Sequence, residues 1–252
     1  MKPDRQRRVG DTVAIPGDYQ HRALTEGPAV QRFWHLAKQL AIARLLPPAR
    51  GDHVLDIGCG SGVISDFLAR AGADVLAVDG SGEAIAFARE RFGAPNLEFR
   101  QGLVDESFTV ERPVDKVYCL ELIEHIYRPQ ARALLDHARA VMRPGARLFL
   151  TTPNYRSAWP VIEWAMDRAR LAPELGGAQH VEHYHPAKLR ALCEESGFAV
   201  ETMATKCGAA PWVAPLSWKL AERLQQAELG SRLPLGSVLV VVARAGERGG
   251  SR

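Results

Sequence analysis

Cysteine is scarce and poorly placed for cross-linking. Cys59, Cys119, Cys193 and Cys207 are the only four in 252 residues, no two form a C-x-x-C pair, and three lie in stretches that read as strand or helix. This argues against a disulfide framework and leads to the expectation of reduced thiols in a cytoplasmic protein. Long apolar runs are also missing. The longest, 238–243, is far too short to span a bilayer, and the N-terminus lacks the basic and apolar segments of a secretory signal. Nor is there a large excess of one charge: 32 Lys and Arg against 29 Asp and Glu give a formal +3. That balance does not indicate a nucleic-acid partner. The small basic surplus sits partly in tails, at Lys2, Arg5, Arg7 and Arg8 and at Arg244, Arg248 and Arg252. There is no internal repeat or low-complexity tract. With 46% hydrophobic residues, the chain can bury one large core with a modest appendage, not two full domains.

What is present is concentrated at 53–62, His-Val-Leu-Asp-Ile-Gly-Cys-Gly-Ser-Gly. Val54, Leu55 and Ile57 suit a parallel strand covered on both faces, and Asp56 stands near its carboxyl end. Gly58, Gly60 and Gly62 then allow positive φ and bring a ligand close to the main chain. Residues 63–71 follow as a helix with Val63, Ile64, Phe67 and Leu68 on one face, so its first amides point into the glycine turn. A strand, glycine loop and helix in this order make a nucleotide site. Two further absences narrow the ligand. Val63 occupies the position where a G-x-G-x-x-G dinucleotide fingerprint needs its third glycine, and no lysine follows the glycines as a P-loop requires. A second apolar strand, 75–79, ends in Asp79, 21 residues beyond Gly58, a distance at which an acid can accept bonds from ribose hydroxyls.

The pattern Asp56-x-Gly58-x-Gly60-x-Gly62 resembles motif I of the class I S-adenosylmethionine (AdoMet) methyltransferases. That resemblance implies an α/β fold, a Rossmann-like seven-stranded doubly wound sheet carrying a helical substrate cap, with the seventh strand inserted antiparallel between the fifth and sixth. It assigns cofactor contacts to Asp56 (the methionine ammonium), Gly58, Cys59, Gly60, Asp79, Gly80, Leu103 and Leu120, with Lys38 reaching the cofactor carboxylate. The adenine turn departs from the family's Gly-Asp: here it is Gly102-Leu103, with the acid delayed to Asp105. Cys119-x-Glu121-x-x-Glu124-His125, together with Arg143-Pro144-Gly145, is most similar to the ubiquinone-biosynthesis O-methyltransferase branch, over roughly residues 33–152.

In chain order, residues 1–30 show scattered Pro, Gly and charge and are expected to be a flexible segment, or one that folds over the site with ligand. Residues 31–252 read as one domain. A helix is predicted over 32–46 and stopped by Pro47-Pro48, followed by alternating strands and helices: strand 75–79, helix 83–92, strand 97–101, strand 114–120, helix 129–142 and strand 147–152. Such alternation implies a parallel sheet. Cap insertions are expected at 153–184 and 206–236, around a helix at 186–196 and a strand at 198–205. A helix at 215–229 and the β-branched strand 237–243 complete the chain.

Chemistry belongs at the carboxyl ends of the strands. Glu121, Glu124 and His125 follow strand four and, on a helical turn, project to one side. Two carboxylates and an imidazole suit Mg²⁺ or another divalent cation, which would lower the pKa of a phenol or catechol acceptor. Alternatively His125 is a catalytic general base oriented by a glutamate, or the trio only ties the loop. His180, His183 and His185 form a second cluster, read as packing or substrate wall. Trp159, Trp164, Trp212 and Trp218 fit either core packing or an aromatic pocket for a flat or lipophilic small-molecule acceptor. Peripheral membrane contact is a further reading of these residues. The expected activity is AdoMet-dependent O-methylation; N- or C-methylation, an NAD(P)-dependent oxidoreductase and a non-catalytic nucleotide-binding module are the alternatives.

Overall fold

The computed structural model describes residues 15–169, 179–231, 233 and 235–246. Two helices, α1 (Tyr19–Thr25) and α2 (Ala29–Leu45), precede the sheet. The sheet is built from β1 (His53–Ile57), β2 (Asp74–Asp79), β3 (Leu97–Gln101), β4 (Val114–Leu120), β5 (Met142–Pro153), β6 (Phe198–Lys206) and β7 (Val238–Ala245). Between them run α3 (Val63–Arg70), α4 (Gly82–Arg91), α5 (Arg128–Val141), α6 (Trp159–Ala169), α7 (Pro186–Glu195), α8 (Ala210–Val213) and α9 (Trp218–Gly230).

The strand order is β3-β2-β1-β4-β5-β7-β6, with β1 to β5 parallel and β7 antiparallel to both neighbours. Strand alternation sorts the apolar residues into two cores. Leu55, Ile57, Val117, Cys119, Leu148 and Leu150 pack on one face with α5 and α7, while Val54, Tyr118 and Phe149 pack on the other with α2 and α3. β7 is apolar along nearly its whole length because it is covered on both faces. The order reverses between β1 and β4, which is where a doubly wound sheet opens a crevice for ligand.

Three expectations are adjusted. β5 starts at Met142 instead of 147 because Met142 pairs with Val114 across a register shift. α9 starts at Trp218, where the Ser217 hydroxyl accepts from the Leu220 amide, and the short α8 precedes it. The described part of the segment before residue 31 is not a loose strand of chain: it carries α1, which packs on α2 and on the glycine loop. Residues 1–14 and 170–178 lie outside the described residues, as does the glycine-rich part of the first cap insertion.

Candidate active site

The glycine loop holds positive φ at Gly58 (72°), Gly60 (52°) and Gly62 (80°). A Cβ on Gly62 would lie 2.8 Å from the Phe99 ring, and one on Gly58 would lie 2.9 Å from Leu122. These glycines are therefore required both by backbone conformation and by close packing. Asp79, at the end of β2, secures the loop from the side: one carboxylate oxygen accepts from the Gly60 amide at 2.8 Å and the other from the Ser81 amide at 2.8 Å. From above, the Gln20 carboxamide oxygen of α1 accepts from the Ser61 amide (2.9 Å) and hydroxyl (3.2 Å), and the His21 amide donates to the same hydroxyl.

Under this loop lies a cavity of about 400 Å³ at the β1/β4 switch point. Gly58, Gly60, Asp79, Gly80, Leu103, Glu121 and His125 line it, together with Asp105. Residues not anticipated also line it: Gln20, Ser61, Leu122, Gln130 and His137. Their signal in the sequence was weak, since Gln20 belongs to a stretch without sustained periodicity and Leu122 reads as an ordinary core leucine.

Four expected cofactor residues do not line the cavity. Asp56 shares the Val54 face of β1, is 2% exposed, and accepts a 2.7 Å hydrogen bond from the Ser65 hydroxyl of α3. Burial pushes its carboxyl up to about 7, against the Ser65 bond. Cys59 and Leu120 are core residues of that same face. Lys38 is buried on α2, where its ammonium pairs with Glu121 at 2.7 Å.

The expected metal trio is also rearranged. Glu121 has a left-handed backbone (φ 53°) and is held by Lys38 and, at 3.4 Å, by Lys206. Glu124, His125 and His180 converge instead, each offering a ligand atom, all within 4.8 Å of one another. The 3₁₀ turn Ile123–His125 presents the first two, and the Glu124 carbonyl accepts the Val181 and Glu182 amides at 2.9 and 3.1 Å, which brings His180 alongside. Glu124 accepts from Thr152 Oγ1 at 3.0 Å. His125 Nδ1 meets the Gln179 carbonyl at 3.0 Å, and His180 Nδ1 meets Glu163 at 2.6 Å, with Tyr155 also donating to Glu163. His183 stacks on Tyr155 and His185 caps α7, so only His180 of that cluster joins. Burial raises Glu124 to about 7 and lowers His125 to about 4, with His180 lowering it further. Burial also works against the charged form of His180, but the Glu163 bond and nearby carboxylates outweigh it and raise its pKa. Among the described residues this is the one such cluster.

The tryptophans do not form one pocket. Trp159 packs near Trp34 and His180, Trp218 packs on Phe33, and Trp164 and Trp212 are exposed. None lines the cavity.

The profile of the methyltransferase domain family matches residues 30–203. The chain is 34% identical over 159 residues to a ubiquinone biosynthesis O-methyltransferase of Xylella fastidiosa, covering 61% of this chain and 63% of that relative. It is 30% identical over 182 residues to the protein of that name in Coxiella burnetii, covering 66% and 76%. The match thus spans just under two thirds of the Xylella relative. In fold it is similar to a putative methyltransferase from Haloferax volcanii solved with the Trm112 activator (TM-score 0.63, 19% identity, 93% and 96% coverage). It is likewise similar to magnesium protoporphyrin IX methyltransferase from Synechocystis with bound SAH (TM-score 0.59, 20% identity, 91% and 94% coverage).

Proposed function

Because the chain belongs to the methyltransferase domain family, we propose that it transfers the methyl group of AdoMet to an oxygen of a hydroxylated aromatic or lipophilic small molecule. The observation that carries this reading is the adjacency of two parts: a cavity of about 400 Å³ bounded by Asp79, Gly60 and Leu103, and a polar centre at its edge where His125 lines the same space. The relatives named for O-methylation support the choice of oxygen. Gly80 and the glycine loop leave room for the nucleoside, Asp79 is placed for the ribose hydroxyls, and the exposed Leu103 offers an apolar wall to the base.

Methyl transfer to oxygen needs the acceptor aligned with the sulfonium and deprotonated. The lowered pKa of His125 keeps its ring neutral near pH 7, and the Gln179 carbonyl, by accepting from Nδ1–H, assigns the lone pair to Nε2. That ring can take the acceptor's proton directly. A second reading has its own observation: both imidazoles have Nδ1 engaged by an oxygen acceptor, as metal-ligating histidines do, and Glu124 adds a carboxylate. This donor set fits a divalent cation, which when bound would lower the pKa of the acceptor hydroxyl.

The test is product formation from AdoMet against a panel of phenols and catechols, with and without chelator. Under direct base catalysis, chelator has no effect and His125→Ala loses about 10²–10⁴-fold, partly recovered at alkaline pH. Under the metal reading, chelator abolishes activity, Mg²⁺ or Mn²⁺ restores it, and Glu124→Gln, His125→Ala and His180→Ala fail alike. Chelator-insensitive activity with a near-normal His125→Ala would refute both. Calorimetry gives the prior check: binding of NADH with none of AdoMet would return the chain to the oxidoreductase alternative.

A further inference from the structure

α6 carries Trp159 and Glu163 one turn apart, a spacing that sets two side chains on the same face of a helix. Both are buried, and both meet His180: the Trp159 ring lies 6.3 Å from the imidazole, centroid to centroid, and a Glu163 oxygen stands 2.6 Å from Nδ1. Packing alone asks only for apolar residues on such a face. A buried carboxylate is costly there unless its hydrogen bonds are met. His180 meets one, and the Tyr155 hydroxyl, 2.9 and 3.2 Å from the two Glu163 oxygens, donates another.

Tyr155 is itself fixed. Its amide donates to the Tyr184 carbonyl at 2.9 Å, and its ring stacks on His183 with centroids 4.0 Å apart. The hydroxyl has one hydrogen, spent on Glu163, yet its oxygen also lies 3.0 Å from His180 Nδ1. Towards Nδ1 it can therefore act only as an acceptor. Nδ1 thus faces two acceptors, the Glu163 carboxylate and the Tyr155 oxygen, and must carry the hydrogen. In the neutral ring this leaves the lone pair on Nε2. The remaining polar neighbours of His180 are Glu124 and His125, the latter with its ring centroid 5.0 Å away.

We propose that Glu163, with Tyr155, is a positioning residue of the reactive centre: from the cap helix it fixes the tautomer and orientation of His180, so that Nε2 is the nitrogen offered to Glu124 and His125. The cap then completes the centre and does more than wall the acceptor. This deepens the methyl-transfer reading and rests on it.

The experiment is ¹⁵N NMR of the imidazole nitrogens of the full chain at about pH 9, above the ordinary histidine range, with the His180 signals identified by their loss in His180→Gln. The parent is expected to hold the His180 proton on Nδ1. Glu163→Met fills the space and suits a helix but accepts no such hydrogen bond. It releases the Tyr155 hydroxyl to donate to Nδ1, so the proton moves to Nε2. Glu163→Gln keeps an acceptor oxygen and restores the parent's tautomer. The second readout is methyl transfer to whichever phenol or catechol the parent turns over fastest. There Glu163→Met lowers kcat about 10–100-fold, the usual effect of removing the carboxylate behind a functional histidine, leaves S-adenosylhomocysteine affinity unchanged, and Glu163→Gln recovers part of the rate. The proposal is overturned if Glu163→Met keeps the parent's tautomer, or changes it and keeps the parent's kcat. It is also overturned, with no variant needed, if neutral His180 in the parent carries its proton on Nε2. A parent that binds no S-adenosylhomocysteine would instead overturn the methyl-transfer reading, a result separate from the His180 tautomer.

Discussion

Asp79 accepts two backbone hydrogen bonds, so its carboxylate is held in position and the glycine loop is held by it. Each carboxylate oxygen retains a second lone pair for a ribose hydroxyl. Asp79→Ala is therefore expected to weaken AdoMet by about 2–4 kcal/mol, the range for loss of charged hydrogen bonds, measured by calorimetry. Gly60→Val is expected to abolish binding: its backbone is left-handed at φ 52°, and an added Cβ would meet the Gln20 carboxamide. Parent-like affinity in both variants would remove the assignment of this loop to the cofactor. At the same scale, Glu121 shows the limit of motif spacing. Its interval from Glu124 and His125 suits a shared face, yet a left-handed backbone and two lysines draw it elsewhere.

Among the elements, α1 joins α2 and α4 to the glycine loop. It reaches the glycine loop through Gln20 and His21, both bonded to Ser61. Gln20→Ala removes the acceptor for the Ser61 amide, so hydrogen exchange across Tyr19–Thr25 should quicken by about an order of magnitude while the sheet amides stay protected. Unchanged exchange in α1 would mean that its packing on α2 and the contacts of His21 with Phe87, Phe92 and Ser61 hold it without Gln20. The 3₁₀ turn Ile123–His125 is anchored differently, by the two amides of Val181 and Glu182 on one carbonyl. That backbone docking, with the Glu163 bond to His180, builds the polar centre from segments distant in the chain.

For the whole molecule, burial sets an opposition of pH dependences. Asp56 and Glu124 have folded pKa values raised to about 7, so their contribution is fully present below the ordinary carboxylate range and is lost as pH rises through about 7. His35 and His125 are lowered, to about 3 and about 4, so theirs is present above about 6.5 and is lost as pH falls through those values. Asp56→Asn keeps an acceptor for Ser65 and removes the buried charge. Its Tm should exceed the parent's at pH 8 and match it at pH 5; an equal Tm at both would place Asp56 in a more polar setting than its 2% exposure indicates. No described helix is long and apolar enough to cross a membrane. The alternation of strands and helices, the glycine loop and Asp79 were readable in local signals: apolar runs of strand length, an acid at the strand end, glycines where φ must be positive; the antiparallel place of the seventh strand came only with the family resemblance. The polar centre was not readable, because its membership depends on which loop docks on the 3₁₀ turn. Periodicity carries no information about that: His180 stands in the centre in place of Glu121 because residues 181 and 182 dock on the Glu124 carbonyl, while the left-handed backbone at Glu121 turns its carboxylate to Lys38.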